Sequence, residues 1–385
     1  MQTRKLFYED GSIRTFTATV TGCEPRGQYW AVTLDATAFY PEGGGQAGDT
    51  GFLNDAAVLD TREEGESILH ICAAPLEVGT QAEGRLDWNA RFARMQNHTG
   101  EHMVSGVIHR RYGFHNVGFH MGSEVVTIDF DGMVPVEALP EIEAEVNEAI
   151  WQDLPVRGWI PSPEELLLAV YRSKRELPWP VRILEVPGVD SCACCGVHVA
   201  TTGQIGLVKL LSCVKFHQGV RIEMICGKSA MAYLNRIVAQ NRLVSQAFSA
   251  PMEATGEAAQ RMNELLAAEK FRAGLLEKRL LGKIAESYVN FRDVLHFEDG
   301  LSSASLRELA EGISKVCGGR AAVFSGIDGN YGYCLAQPGG DLRTFGKEMN
   351  AALNGRGGGK PEFQQGSLKA SRQEIEAFFS GNGKE

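Results

Sequence analysis

His98 and His102, in the segment Asn97-His-Thr-Gly-Glu-His102, stand four residues apart. On a helix that spacing puts both imidazoles on one face, where they can converge on a single ion. The segment does not follow the zinc-protease pattern, because Thr99 follows His98 and Glu101 directly precedes His102. A second stretch, Cys192-Ala-Cys-Cys-Gly-Val-His198, repeats the interval between Cys194 and His198, with Gly196 easing a tight loop. One thiolate and three ring nitrogens form a tetrahedral donor set suited to one Zn2+ per chain. Cys192 and Cys195 compete for the thiolate position, and their other use is as small apolar groups in a core. Four protein ligands normally close a structural site. Catalysis there needs a fifth position, loss of a ligand, or an ion that holds substrate while another group activates water.

These residues must be carried by elements, and the pattern changes along the chain. Residues 1–88 read as a small β-barrel, with runs such as Thr15–Val20, Tyr29–Leu34, Ala56–Asp60 and Ser67–Ala73 between Gly and Pro punctuation. Residues 89–230 read as an α+β core. A helix over Asn89–Tyr112 buries Phe92, Met95, Met103, Val107 and Ile108 and stops at Gly113, and strands are expected at Val125–Phe130, Val181–Val186 and Gly206–Val214. A helix over Pro140–Gln152 lies between them. Residues 231–289 form a helical connector, with Leu276, Leu280 and Ile284 recurring four apart. Residues 290–385 read as a C-terminal α/β domain in which a helix over Asp341–Leu353 leads into the glycine loop Gly355-Arg-Gly-Gly-Gly-Lys-Pro361 and a helix over Ser371–Phe379 closes the domain.

The composition bounds this reading. The chain has 385 residues, 44% hydrophobic and 22% charged, which supplies roughly two or three packed domains and excludes a mainly disordered chain. Nine cysteines, no secretory signal at Met1–Asp10 and no apolar run of about 18 residues point to a reducing cytoplasm and no membrane span. The net charge of −10 excludes a uniformly basic surface but not a local basic groove.

His98, His102, Cys194 and His198, in that order and spacing, resemble the zinc-binding motif of the editing domain of alanyl-tRNA synthetase and of the free-standing AlaX-type alanyl-tRNA editing proteins. The glycine-rich segment Phe39-Tyr-Pro-Glu-Gly-Gly-Gly-Gln-Ala-Gly-Asp-Thr-Gly51 is similar to one in the family's preceding barrel, and Thr202–Gly206 and Gly219–Glu223 match further stretches. Gly355–Phe363 resembles the glycine-rich motif of the C-terminal domain shared with DHH-type phosphoesterases. The resemblance covers nearly the whole chain and is to the long editing form. The length leaves no room for an adenylate-forming domain ahead of the barrel. The resemblance therefore implies a trans-editing hydrolase that deacylates mischarged alanine tRNA, seryl-tRNA first and glycyl-tRNA second, acting as monomer or homodimer. A non-catalytic tRNA-binding module with a structural zinc is the alternative. A DHH-type phosphoesterase is disfavoured, because no Asp-His-His motif exists here.

The same resemblance implies roles. His98, His102, Cys194 and His198 become zinc ligands. His120, with Phe119 as the ungapped candidate, would shape the amino-acid pocket. Gln46 would position water, and the Gly43–Gly45 amides or the turn at Thr202 would stabilise an oxyanion. Gly100-Glu101 and Val197 depart from the family's usual Ala-Thr or Ala-Leu and Thr, so no hydroxyl is offered at 197. Arg356, Gly357, Gly358, Gly359 and Lys360 would meet tRNA phosphate or sugar. Arg91, Arg94, Arg110 and Arg111, then Arg172, Lys174 and Arg175, then the cations of the long helix from Lys270 to Lys283, are further candidate contacts.

Overall fold

The β-branched and aromatic runs at the start of the chain pair as six strands: β1 (Thr15–Arg26), β2 (Tyr29–Leu34), β3 (Gly51–Leu53), β4 (Ala56–Glu64), β5 (Ser67–Cys72) and β6 (Gln81–Leu86). All pairs are antiparallel. Their order is β1-β2-β5-β4-β3-β6, with β6 returning to β1, so the sheet closes into a ring with no free edge. Side chains alternate across it, Gln81 to Leu86 running exposed then buried without a break. Val20, Val32, Leu34, Phe39, Leu53 and Leu86 fill its interior. The computed structural model describes residues 2–122, 125–173 and 177–381.

The ring leads into α1 (Trp88–Tyr112), capped where the Asp87 carboxylate accepts the Ala90 N–H at 3.1 Å and stopped at Gly113 with φ 72°. From His98 to Ile108 every residue of α1 is buried, so this helix is enclosed on all sides and is not simply laid on a core. Its surroundings come from β7 (Asn116–Met121), β8 (Val126–Phe130), α2 (Leu139–Trp151), β9 (Arg157–Trp159), β10 (Ile183–Val186), β11 (Asp190–Ala193), β12 (Val208–Phe216) and β13 (Gly219–Cys226). These strands form a four-stranded sheet, β12-β13-β8-β7, and a three-stranded one, β9-β10-β11. Met103, Val107 and Ile108 share one core with Ile128, Ile142, Ile222 and Met224. The closeness has a local cost: Gly100 lowers helix propensity by about 1 kcal/mol relative to Ala, yet a Cβ there would lie 2.3 Å from the Cys226 sulfur.

Two units divide the chain, Met1–Leu243 and Val244–Glu385, and α3 (Gly227–Phe248) runs across the division. The second unit opens with α4 (Thr255–Glu286), whose Leu281 and Ala285 pack into a core while Leu265, Leu275, Leu276 and Leu280 are exposed. Then come β14 (Val294–Phe297), α5 (Ser303–Cys317), β15 (Ala321–Ile327), β16 (Asn330–Ala336), α6 (Arg343–Ala352), β17 (Arg356–Lys360), β18 (Phe363–Leu368) and α7 (Arg372–Gly381). Its sheet runs β14-β15-β16-β18-β17. The glycine run expected as a loop is thus the edge strand β17. No helix among the described residues is long and apolar enough to cross a membrane.

One ion pair ties the glycine-rich segment to α1. Arg91 and Asp49 are each 1% exposed, and Arg91 Nε donates to Asp49 Oδ2 at 2.7 Å, which also accepts the Tyr40 N–H at 2.7 Å. Arg91 is therefore a buried anchor, not the RNA contact expected from its charge. Asp49→Ala would strand that guanidinium inside the protein and should cost about 3–5 kcal/mol. All five tryptophans (Trp30, Trp88, Trp151, Trp159 and Trp179) lie in the first unit, so their fluorescence in a urea titration reads this unit alone. An unchanged midpoint would show that the pair does not hold the segment.

Candidate metal centre

Residues 98 and 102 project from the enclosed face of α1, and residues 194 and 198 from the loop that follows β11. The four donor atoms of His98, His102, Cys194 and His198 all lie within 4.8 Å of one another. Cys194 Sγ is 3.5 Å from His98 Nε2 and 3.3 Å from His198 Nε2. A tetrahedral zinc ion with Zn–S near 2.3 Å and Zn–N near 2.0–2.1 Å requires an S···N edge of about 3.5 Å. The donors stand at the spacing such an ion would need.

The outer ring nitrogens show which atoms face inward. His98 Nδ1 lies 2.9 Å from Gln46 Oε1, which also faces the Val197 N–H at 3.4 Å, so the oxygen accepts and Nδ1 donates. His102 Nδ1 donates to Asp190 Oδ2 at 3.0 Å. Thr99 gives its own proton to the Met95 carbonyl at 2.8 Å, so its oxygen accepts from His198 Nδ1 at 3.2 Å. All three imidazoles are thereby held in the tautomer whose Nε2 lone pair points at the shared volume, as metal-ligating histidines require. Burial pushes His198 down to about 3. Burial raises the Cys194 thiol, but His98, His198 and His102 outweigh it and hold the thiol well below its ordinary value. Burial likewise opposes charge on His102, and Cys194 with Asp190 more than reverses it.

The positioning groups are themselves held. Arg172 grips Asp190 with two hydrogen bonds of 2.7 and 2.8 Å. Arg182 donates to the carbonyls of Cys194 and Gly196 at 2.9 and 3.0 Å, and Tyr8 Oη to that of Cys195 at 2.6 Å, which fixes the ligand loop. A Cβ on Gly196 would sit 2.2 Å from His98 Cε1, so only glycine passes beneath the imidazole. Gly43 and Gln46 exchange backbone hydrogen bonds of 3.0 Å around Gly44 (φ 60°) and Gly45 (φ 86°), a two-residue turn that needs positive φ at both central residues. This turn delivers Gln46 to His98, and Gly45 lies against Phe119. A cavity of about 610 Å³ opens beside His198, lined by Tyr8, Arg14, Trp88, Phe92 and Arg182 among others.

Several expected residues fall elsewhere. Phe119 stacks on His98, centroids 5.1 Å apart at 21°, whereas His120 is exposed. Successive residues of β7 point to opposite faces, so the ungapped position supplies the wall and His120 does not. The Thr202 hydroxyl donates to the Ala149 carbonyl at 2.9 Å and accepts the Leu154 N–H at 2.9 Å, with the residue wholly buried. That hydroxyl staples the end of α2, and the turn's amides, expected at an oxyanion, are spent within the fold: the Thr202 N–H donates to the Leu154 carbonyl at 2.8 Å and the Gly203 N–H to Asp153 Oδ1 at 3.0 Å. Cys192, His102 and Asp190 form a second close group, but Asp190 is already bound to Arg172. Arg110 and Arg111 pair at the surface with Glu145, Arg111 also with Glu141, while Arg172 serves the buried Asp190. Lys174 and Arg175 lie outside the described residues. Asp190, Thr99, Arg172 and Arg182 were not singled out for this site from the sequence, because a positioning partner has no fixed spacing from its ligand.

Comparison with known proteins agrees with this architecture. Residues 11–90 match the family described as tRNA synthetases class II (A), and residues 181–224 match the threonyl and alanyl tRNA synthetase second additional domain. The alanyl-tRNA editing protein AlaX-L of Pyrococcus horikoshii is 33% identical over 61% of this chain and 60% of its own length. The alanyl-tRNA editing protein Aarsd1-A of Xenopus laevis is 29% identical over 90% of this chain and 87% of its own. This chain resembles the alanyl-tRNA editing proteins. The alanine–tRNA ligase of Pyrococcus furiosus is 31% identical over 99% of this chain but only 43% of the ligase. The chain thus spans less than two thirds of AlaX-L and of the ligase, and most of Aarsd1-A.

The likeness to editing proteins and the donor geometry lead to one expected outcome. Zinc titration against a competing chelator should give one ion per chain. Asp190→Asn should weaken binding about 10–100-fold, while His120→Ala leaves it unchanged. Equal affinity in the wild type and Asp190→Asn would remove Asp190 from the centre.

Proposed function

We propose that this chain is a trans-editing deacylase that hydrolyses the ester joining a wrong amino acid, serine first and glycine second, to alanine tRNA. The observation that carries the reading is the convergence of His98, His102, Cys194 and His198 with every Nδ1 tied outward. The likeness to editing proteins along most of the chain supports the substrate class. Zinc bound by these four residues supplies Lewis-acid polarisation of an ester carbonyl. The chain's own groups do the positioning. Gln46, Asp190 and Thr99 keep the imidazoles in register, Arg182 and Tyr8 hold the loop, and Phe119 walls the site at His98. A pocket able to hydrogen-bond the serine hydroxyl gives stronger rejection of alanine than an apolar pocket could.

The four-part division at residues 88, 230 and 289 belongs to this reading, with residues 290–385 as the tRNA-binding part. There β17 presents Arg356, Gly357, Gly358, Gly359 and Lys360, all exposed. Nine free cysteines fit action in a reducing cytoplasm. A second reading, a tRNA-binding module with a purely structural zinc, draws on the four-donor set, which closes a tetrahedron without a water position.

Single-turnover assays with seryl- and alanyl-charged alanine tRNA separate the two. The zinc-loaded protein should release serine well above the no-protein rate and at least about tenfold faster than alanine. Release at the spontaneous rate while tRNA is bound would leave the binding module. Arg356→Ala with Lys360→Ala should weaken tRNA binding and reduce the slope of log affinity against log salt by about 1–2. An unchanged slope would reject the β17 contact.

A further inference from the structure

Glu101 stands immediately before His102 on α1 and is only 4% exposed. Its hydrogen bonds are unevenly shared. Ser105 Oγ donates to Oε1 at 2.6 Å, and the Asn116 side-chain amide also donates to Oε1. The same amide nitrogen donates to Ser105 Oγ at 3.2 Å. These three bonds use the one hydroxyl proton and both amide protons the trio owns. What is left over is all acceptor. Glu101 Oε2 has no donor among the described residues, and Asn116 Oδ1 is buried without a partner. Oε2 lies 4.0 Å from His102 Nε2, the nitrogen aimed at the shared donor volume.

Asn116 Oδ1 is a buried acceptor without a donor and Glu101 Oε2 an unoccupied one, and such acceptors suit a donor-rich cationic group. An ammonium group carries three N–H donors and a positive charge. The ester attributed to this site above has such a group on its α-carbon, since α-amino groups titrate near 8. A charge-assisted N–H···O contact is about 2.7–2.9 Å long. The carbonyl carbon is two bonds from that nitrogen, so the ester would lie beside the imidazole cluster.

We propose that Glu101 Oε2, with the carboxylate oriented by Asn116 and Ser105, binds the α-ammonium of the aminoacyl ester and so sets where its carbonyl sits. The inference rests on the deacylase reading and deepens it. Esters whose nitrogen is acylated, as in a peptidyl-tRNA, cannot supply the ammonium and are refused. Ser105, one turn on, and Asn116, at the start of β7, serve to orient Glu101.

The test uses stable analogues, adenosine carrying a seryl group through a 3′-amide and its glyceroyl counterpart, which has a hydroxyl in place of the ammonium. Calorimetry on zinc-loaded wild type should show the seryl analogue bound about ten- to a hundredfold more tightly. Glu101→Gln should bring the two within about twofold while zinc stays at one per chain. Retention of the preference in Glu101→Gln, no preference in the wild type, or loss of zinc from the variant would each overturn the proposal, the last by making Glu101 a ligand. Should Glu101→Gln not fold, Asn116→Ala is read with the same pair: a smaller preference supports the contact and an unchanged one counts against it. Seryl-tRNA hydrolysis by wild type is scored in parallel. Hydrolysis without an ammonium preference overturns this inference alone, and absence of hydrolysis overturns the deacylase reading itself.

Discussion

Each of the three clustered imidazoles can point a lone pair inward only if its other nitrogen finds a fixed acceptor outside. That constraint organises the first unit. The acceptors come from three separate places: Gln46 on a glycine turn, Thr99 on α1 itself and Asp190 at the start of β11. Each has been prepared by another contact. Thr99 has spent its proton on Met95, Asp190 is clasped by Arg172, and the turn carrying Gln46 belongs to the segment that Asp49 fastens to Arg91. Remove the outer shell and an imidazole is free to turn its N–H inward, against the other donors. The enclosure of α1 follows from this need, because partners must approach the helix from several sides.

Hydrogen-bond partners explain why the carboxylates near the cluster behave differently. Asp190 has a guanidinium on one side and an imidazole on the other, which hold it below its ordinary value although burial pulls the other way. Its negative charge is thereby matched, and it acts as an acceptor for His102. Glu101, similarly buried, receives only neutral donors on one oxygen. Two acids close to the same histidine therefore have different roles. One is satisfied within the chain, and the other keeps an acceptor open toward the site.

The ligand quartet was legible because helical periodicity and a four-residue interval encode convergence directly. The helical connector was legible for the same reason, and Pro251 lies between the observed α3 and α4. Position 119 against 120 was not, since a shift of one residue in a strand exchanges faces and nothing local fixes that register. The arginines misled for another reason. Composition records charge but not its partner, and Arg91 and Arg172 meet buried carboxylates, Arg91 one distant in sequence. The turn at Thr202 matched a family segment, yet its hydroxyl and amides are bonded around the end of α2.

The glycine run of β17 shows how a strand can be hidden by its composition. Glycine disfavours strands because it loses most backbone entropy and packs nothing. Here close approach overrides propensity: a Cβ on Gly357 would fall 2.2 Å from the Tyr333 hydroxyl, and one on Gly359 2.3 Å from the Phe363 carbonyl. Gly358, between them, would meet nothing within 4 Å. Two of the three glycines are therefore required by the sheet, and the middle one is not. It stands on the opposite face of an edge strand, between Arg356 and Lys360, where a bare backbone lets a partner come closer than any side chain would allow. An uncovered edge also invites pairing with other strands, and the flanking cations oppose that. The same five residues thus discourage a second sheet and leave space for a phosphate backbone.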